Sequence, residues 1–192
     1  MALLTMVAMS AAATPGSSSE ILGVALSRNN GVCERYVADA AHKYGVPAAV
    51  LYAVGLTESG LGGRLHPFAM NIEGETRFAG SASEALRILA DARRKGARLI
   101  DLGCMQINHY YHRDQFPTDA AMLDPQRNVM YAASFLKSLK NKHKTWSMAV
   151  ARYHAGPDNN AAQKRYVCRV IGNMVATGVG KWTPPAQRFC SS

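Results

Sequence analysis

The feature that most constrains the fold is the spacing of apolar residues, which recur three and four positions apart in several segments. The clearest of these segments are residues 51–58, 129–139, 146–153 and 167–174. This spacing places the apolar side chains on one face of an α-helix, which must pack against other elements. Ser81 and Glu84 form a capping box, which marks the start of a further helix. Asp124 before Pro125 marks another, so the sequence predicts a mainly α-helical protein.

Two segments depart from the helical pattern. The glycine-centred sequence Glu73-Gly74-Glu75 is typical of the turn of a small β-hairpin. Near the end of the chain, Pro184-Pro185 predicts an irregular tail. With 192 residues, of which 48% are hydrophobic, the chain can bury one sizeable core. We therefore expect one domain over residues 31–180, followed by a tail over residues 181–192.

The amino-terminal segment has the composition of an export signal. Residues 1–13 are almost entirely apolar and end in three alanines before a Pro-Gly turn, as in a signal peptide with its cleavage site. Because no Lys or Arg stands at its start, a disordered apolar leader is the alternative. We expect residues 14–30 to form a flexible lead-in. No later apolar stretch reaches the roughly 20 residues of a transmembrane helix, so a periplasmic or secreted protein is expected.

The four cysteines are an even number, which favours two disulfides in an exported protein. Four cysteines allow three pairings, and the sequence leaves all three open. We expect Cys33 to pair with Cys190, which would tie the two ends together, and Cys104 to pair with Cys168. Buried free thiols are the alternative.

Positive charge is in excess, since 22 Lys and Arg against 13 Asp and Glu give a net charge of +9. An anionic partner is therefore expected, and nucleic acid, an acidic membrane surface and the cell wall would all qualify. The basic clusters stand at helical spacing, as on ordinary solvated helix faces. No nucleic-acid-binding motif accompanies them, so nucleic acid is not an expected partner.

Glu58 is the main candidate for a catalytic group. It shares a helical face with Leu51 and Val54 and stands at the end of that helix. Burial in an apolar setting and the negative end of the helix dipole both raise the pKa of a carboxyl group. A carboxylic acid that stays protonated near neutral pH can protonate a leaving oxygen, as acid-catalysed glycoside cleavage requires. The spacing by itself favours a surface glutamate at a helix end over a catalytic acid.

Four short motifs occur in order along the chain. They are Glu58-Ser59-Gly60, DLGCMQIN at residues 101–108, ARYHAG at residues 151–156 and AQKRYV at residues 162–167. Together they resemble the signatures of the lytic transglycosylase domain, whose fold is similar to goose-type lysozyme. The resemblance covers about residues 33–174 and implies a mainly α, lysozyme-like helical domain. The second motif resembles that of a small subgroup associated with secretion and conjugation machinery, which implies a secretion, conjugation or flagellar assembly component as a partner.

The resemblance implies a role for each matched residue. Glu58 would be the single catalytic acid and base, and neither a cofactor nor a metal is implied. The substrate-binding residues would be Ser59, Met105, Gln106, Asn108, Tyr153, His154 and Tyr166. Tyr153 and Tyr166 would also frame the acid. His154 stands where the family usually has Asn, and Cys104 where it usually has Leu.

The implied reaction cuts the bond between N-acetylmuramic acid (MurNAc) and N-acetylglucosamine (GlcNAc) in peptidoglycan and leaves a 1,6-anhydro end. The chain would act as a monomer on glycan strands. Two alternatives remain open. The segment before the second motif would place Glu73, Glu75 and Asp101 along the cleft rim, and either Glu75 or Asp101 would supply the second carboxylate of a hydrolase. A non-catalytic peptidoglycan-binding assembly factor is the alternative of another class.

Overall fold

The structure is a computed structural model that describes residues 31–191, and helices dominate this part of the chain. The helices are α1 (Glu34–Tyr44), α2 (Ala48–Ser59), α3 (Ala82–Arg94), α4 (His109–His112), α5 (Asp119–Leu123), α6 (Pro125–His143), α7 (Trp146–His154), α8 (Asn160–Ala176) and α9 (Pro184–Ser191), with a 3-10 turn at Arg113–Gln115. The predicted mainly α class is confirmed. Within residues 31–191, no helix has the length and apolar character needed to cross a membrane.

Several helices begin where their capping residues predict. Ser81 precedes α3, and its hydroxyl accepts a hydrogen bond of 3.2 Å from the backbone N–H of Glu84. Asp124 caps α6 in the same manner, with Pro125 as the first helical residue. Thr145 caps α7. Each of these side chains satisfies a backbone N–H that has no partner within its helix.

Short antiparallel strands lie between α2 and α4 in the chain, before and after α3. They are β1 (Gly60–Leu61), β2 (Arg64–Leu65), β3 (Ala69–Ile72), β4 (Glu75–Phe78), β5 (Ile100–Leu102) and β6 (Ile107–Asn108). Strands β1 and β2 form one hairpin, and the other four form a sheet in the order β4-β3-β5-β6. The predicted hairpin around Gly74 is confirmed as β3-β4. Pairing of β5 with β3 extends it into a larger sheet that local sequence signals did not predict.

Helix α2 lies at the centre of the core. Its residues Leu51, Tyr52, Ala53 and Val54 are fully buried, as expected for a helix that is apolar on all sides. Helices α1 and α8 pack against it, and α7 packs against both α6 and α8. The central helix therefore carries its last residues, including Glu58, from the core to the surface beside the sheet.

The expected disulfide pairing is wrong. Cys33 pairs with Cys104 at a Cα–Cα distance of 5.9 Å, and Cys168 pairs with Cys190 at 5.7 Å. Cys33 directly precedes α1 and bonds to Cys104 in the loop after β5, so the ends of the domain are not tied to each other. Cys190 lies on α9, which packs on α8 beside Cys168.

The expectation of an irregular tail is also wrong, because residues 184–191 form helix α9. Pro184 opens this helix, and proline is tolerated there because the first N–H groups of a helix have no intrahelical acceptor. The disulfide to α8 then fixes the short helix against the domain. The predicted signal segment and lead-in, residues 1–13 and 14–30, lie outside the described residues.

Candidate active site

The carboxyl end of α2 opens onto a cleft of about 660 Å³. The sheet forms one wall and the end of α7 forms the other. The lining residues include Glu58, Asn71, Glu73, Leu99, Asp101, Gln106, Asn108, Tyr111, His112, Phe135, Arg152, Tyr153 and His154. Glycine is required at position 60, two residues after Glu58, because a Cβ there would lie 2.2 Å from the Leu56 carbonyl oxygen. The Glu-Ser-Gly motif therefore ends the helix directly after the carboxylate.

Glu58 is half-buried and lines this cleft at the carboxyl end of α2. Burial is the largest influence and raises its pKa from 4.5 to about 8, and the nearby Asp101 carboxylate contributes in the same direction. A hydrogen bond from Tyr166 and the charge of Arg169 act in the opposite direction. Glu58 is therefore protonated at neutral pH, as the sequence predicted for an acid on an apolar helix face.

Tyr166 contacts the acid directly. Its hydroxyl donates a hydrogen bond of 2.5 Å to Glu58 Oε1, and its ring stacks on His154 with ring centroids 4.4 Å apart and planes 3° from parallel. Burial and the charges of Arg169 and Arg165 lower the pKa of His154. The structure thus places Tyr166 in direct contact with Glu58. Tyr166 was also expected to bind substrate. Only 1% of the residue is exposed, so it lies beneath the surface that a substrate could contact.

Three polar side chains from β5, β6 and the loop between them line the same cleft as Glu58. Asp101 on β5 accepts a hydrogen bond of 2.7 Å from Asn108 Nδ2 on β6, and burial raises the pKa of Asp101. Gln106 has a φ of 46°, a left-handed conformation that side chains rarely adopt. Its Nε2 donates to the carbonyl oxygens of Ala69 at 2.8 Å and Gly103 at 3.0 Å, which holds the side chain in place. The structure thus places Asp101, Gln106 and Asn108 in the cleft.

Two of the residues that were expected to bind substrate lie beneath the cleft. Ser59 and Met105 are 2% and 0% exposed. The Ser59 hydroxyl donates a hydrogen bond of 2.6 Å to the Cys104 carbonyl oxygen, which joins α2 to the disulfide loop. The Met105 carbonyl oxygen accepts a hydrogen bond of 2.7 Å from the hydroxyl of Tyr153, which does line the cleft. The expected direct contact of Ser59 and Met105 with substrate is therefore wrong. These two residues instead support the residues above them.

Glu75 does not line the cleft. It lies exposed on the edge strand β4, where it pairs with Ile72. Its neighbour Glu73 lies at the hairpin turn instead and lines the cleft. The backbone N–H groups of Leu99 and Arg98 donate to Glu73 Oε1, and these bonds lower its pKa. Of the two residues expected as a second carboxylate, only Asp101 lies at the site, because alternate residues of a strand face opposite sides of the sheet.

Sequence reasoning missed the residue that shapes the Gly103 loop. Asn128 is fully buried on α6; its Oδ1 accepts from Met105 N at 2.8 Å, and its Nδ2 donates to the carbonyl oxygens of Leu102 and Met122. A Cβ on Gly103, whose φ is 80°, would lie 2.7 Å from Asn128 Nδ2. The sequence signal that was available is a polar residue, Asn128, directly before the apolar helix face that begins at Val129.

Arg152 and Phe135, which also line the cleft, were missed as well. The Arg152 atoms Nε and Nη1 are buried without a hydrogen-bond partner among residues 31–191. His112, Tyr131 and Phe135 form an aromatic group in which His112 Nδ1 and the Tyr131 hydroxyl are 2.9 Å apart. Within residues 31–191, no three His, Cys, Asp or Glu side chains are grouped so that they could hold a metal ion.

Comparison with known proteins agrees with this geometry. The model of the transglycosylase SLT domain family matches residues 35–172, which is most of the chain. Neither the curated proteins nor the solved structures contain a match. The matched region includes Glu58, the Gly103 loop, Tyr153 and Tyr166, and the described part has the lysozyme-like, mainly α fold of the family. The chain therefore belongs to the transglycosylase SLT domain family, the lytic transglycosylases that cleave the glycosidic bonds of peptidoglycan without water.

Proposed function

We propose that the chain cleaves the MurNAc–GlcNAc bond of peptidoglycan with Glu58 as its single catalytic acid and base. The observation that carries this proposal is the cleft-lining Glu58 carboxyl group, which accepts a hydrogen bond from Tyr166 and whose pKa burial raises to about 8. Such a group is protonated at neutral pH and can act as a general acid. General acid-base catalysis typically contributes about 10²–10⁴ in rate.

The reaction proceeds in two proton transfers. Glu58 gives its proton to the glycosidic oxygen, the C1–O4 bond breaks, and the GlcNAc 4-hydroxyl leaves. The N-acetyl group of MurNAc stabilises the cationic C1. The Glu58 carboxylate then takes the proton of the MurNAc 6-hydroxyl while O6 bonds to C1, which gives a 1,6-anhydro end and restores the acid. The Tyr166 hydroxyl stabilises the carboxylate between the two transfers, because a hydrogen bond to the charged form favours it.

Polar and aromatic side chains of the cleft would hold the glycan. Gln106 and Asn108 are fixed by their own hydrogen bonds and present amide groups suited to N-acetyl groups. Tyr153 and His154 present rings that can pack on the sugar. We assign substrate binding to these four residues, and support of the acid to Tyr166.

Hydrolysis is the second candidate, because Asp101 lies in the same cleft as Glu58. A hydrolase would need an ionised Asp101 that activates water. Burial raises the pKa of Asp101, and one of its oxygens already accepts from Asn108. Burial favours the protonated form of Asp101, which cannot act as a base, whereas the hydrogen bond from Asn108 favours the carboxylate. Glu75 is removed from consideration by its position on β4, so Asp101 is the carboxylate left for a hydrolase.

We further propose that the enzyme is a periplasmic or secreted monomer that opens the wall locally during assembly of an envelope-spanning machine. Two disulfides within residues 31–191 support a location outside the cytoplasm. The amino-acid sequence of the second motif, residues 101–108, supports a partner in a secretion, conjugation or flagellar system. A tagged chain should then lose its localisation when that system is deleted, and an unchanged pattern in mutants of each candidate system would count against this role.

The catalytic proposal is tested with purified wild-type protein and a Glu58→Gln variant on peptidoglycan sacculi. The wild type should release muropeptides with 1,6-anhydro ends by mass spectrometry, and Glu58→Gln should be slower by at least about 10². Glu75→Gln is the matched control, since Glu75 is exposed on β4 and should retain activity. Reducing ends would indicate a hydrolase. Equal clearing by wild type and Glu58→Gln, or clearing by neither, would contradict the proposal.

A further inference from the structure

A second concave region, which we call the basic pocket, adjoins the catalytic cleft. Its volume is about 730 Å³, and helices α8 and α9 form its walls. The residues that define it are His154, Lys164, Arg165, Cys168, Arg169 and Cys190. His154 lines both the cleft and the pocket. A chain that branches from a sugar in the cleft can therefore reach the pocket past the ring that stacks on Tyr166.

The pocket is lined by several basic side chains. Lys164, Arg165 and Arg169 line it, and no Asp or Glu of residues 31–191 does. The field of Arg165 and Arg169 reaches into the site, because their charges lower the pKa of His154. The pocket therefore favours an anionic group beside the cleft.

The shape of the pocket is held by a covalent bond. The Cys168–Cys190 disulfide joins α9 to α8, and both cysteines line the pocket. Arg165 and Arg169 stand four residues apart on α8, so they lie on one helix face with Cys168. Lys164 lies over the Phe189 ring of α9 at 5.7 Å. Two arginines one helical turn apart thus line one wall of the pocket, and the Arg169 guanidinium lies 5.7 Å from the centroid of the Tyr166 ring.

We propose that the basic pocket binds the carboxylates of the peptide stem carried by muramic acid, so that the enzyme prefers peptide-bearing glycan strands. This inference rests on the proposed function, because it requires the glycan in the cleft. The peptide stem branches from the muramic sugar and carries free carboxylates. Arginine suits them because its planar donors match a carboxylate in bidentate geometry. Acidic lipid headgroups share the negative charge, but the pocket is concave and opens beside the acid.

The inference is tested by comparing two substrates: glycan strands with peptide stems, and the same strands after an amidase has removed the peptides. The preference ratio is kcat/KM on the first divided by kcat/KM on the second. The wild type should show a ratio of about 10 or more, since a hydrogen bond to a charged group contributes roughly 1.5–3 kcal/mol. The ratio should fall at high salt because exposed charges are screened.

Arg165→Gln and the double variant Arg165→Gln/Arg169→Gln should lower the ratio about tenfold or more, mainly through KM on peptide-bearing strands. A ratio is used because Arg169 also acts on the pKa of Glu58, an effect common to both substrates. Arg35→Gln/Arg87→Gln is the matched control: it removes two exposed charges from α1 and α3 and should keep the wild-type ratio.

Two results would overturn the inference without touching the proposed function. One is a wild type that cuts both substrates equally well, and the other is a pocket variant that loses activity on both in the same proportion. Loss of binding to vesicles of acidic lipid with an unchanged ratio would assign the pocket to a membrane surface instead, and would also overturn it. If the wild type releases no muropeptides from either substrate, the proposed function itself fails.

Discussion

The Tyr166 hydroxyl donates a hydrogen bond of 2.5 Å to Glu58 Oε1 across 108 residues of sequence. The contact joins α8 to the end of α2, the two helices that pack at the centre of the domain. Burial favours the protonated form of Glu58, whereas this hydrogen bond favours the carboxylate. The pair therefore keeps the acid protonated near neutral pH and stabilises the charge that forms after its proton is transferred.

Replacing Tyr166 with Phe tests this relationship while retaining the ring that stacks on His154. Loss of a hydrogen bond to a charged group, about 1.5–3 kcal/mol, should lower kcat about 10- to 100-fold. Because the bond lowers the pKa of Glu58, its loss should also move the alkaline limb of activity to higher pH. Muropeptide release measured against pH reports both effects, with Tyr44→Phe as an unaffected control. A lower kcat with an unmoved limb would indicate a structural role only.

The pH dependence of activity should follow the protonation of Glu58. A general acid is active only when protonated, so kcat/KM should stay level around neutral pH and fall above about pH 8. The rate of muropeptide release by the wild type over pH 5–10 checks this expectation. A rate that already falls between pH 5 and 6 would mean that Glu58 ionises like an exposed carboxyl group.

Glu58 should also reduce the stability of the fold as pH rises. Its pKa is about 8 in the folded state and near 4.5 when unfolded, so the folded chain binds more protons between these values. The free energy of unfolding should therefore fall as pH rises through this window. Glu58→Gln cannot ionise and should be more stable than wild type by about 1–3 kcal/mol at pH 8, with little difference at pH 4. Denaturant unfolding at both pH values measures this, and equal differences would contradict it.

Asp101 should tune Glu58 from across the cleft. Its negative charge raises the pKa of Glu58, so Asp101→Asn should move the alkaline limb of activity to lower pH. Asparagine retains an oxygen that can accept from Asn108, which keeps the local structure. Asp39→Asn, an exposed change on α1, should leave the limb in place. If wild-type products carry reducing ends that Asp101→Asn abolishes, Asp101 is a second catalytic carboxylate.

The two disulfides should differ in their contribution to stability and activity. They close loops of 71 and 22 residues, which correspond to about 4 kcal/mol for Cys33–Cys104 and about 3 kcal/mol for Cys168–Cys190. Paired Cys→Ala variants should lower the free energy of unfolding in that order. Loss of Cys33–Cys104 should also slow catalysis, because the Cys104 carbonyl oxygen accepts from Ser59 beside the acid. An equal loss of activity in both variants would contradict this role.

Much of the helical architecture was predictable because its signals are local. Capping by Ser81, Asp124 and Thr145 depends only on residues within one turn of each helix start. The hairpin turn at Gly74 is equally local. The extension of that hairpin by β5 was not predictable, because it depends on hydrogen bonds between strands nearly 30 residues apart in sequence.

For the candidate site, the sequence by itself determined the acid, because four motifs in order, beginning with Glu58-Ser59-Gly60, single out a carboxyl group that helical spacing alone did not distinguish from a surface glutamate. Only the tertiary structure decided the surroundings of that acid. It placed Asp101 in the cleft and Glu75 outside it, buried Ser59 and Met105, and paired Cys33 with Cys104. The physical reason is that periodicity and capping act along one segment, whereas contacts between segments depend on how whole helices and strands pack.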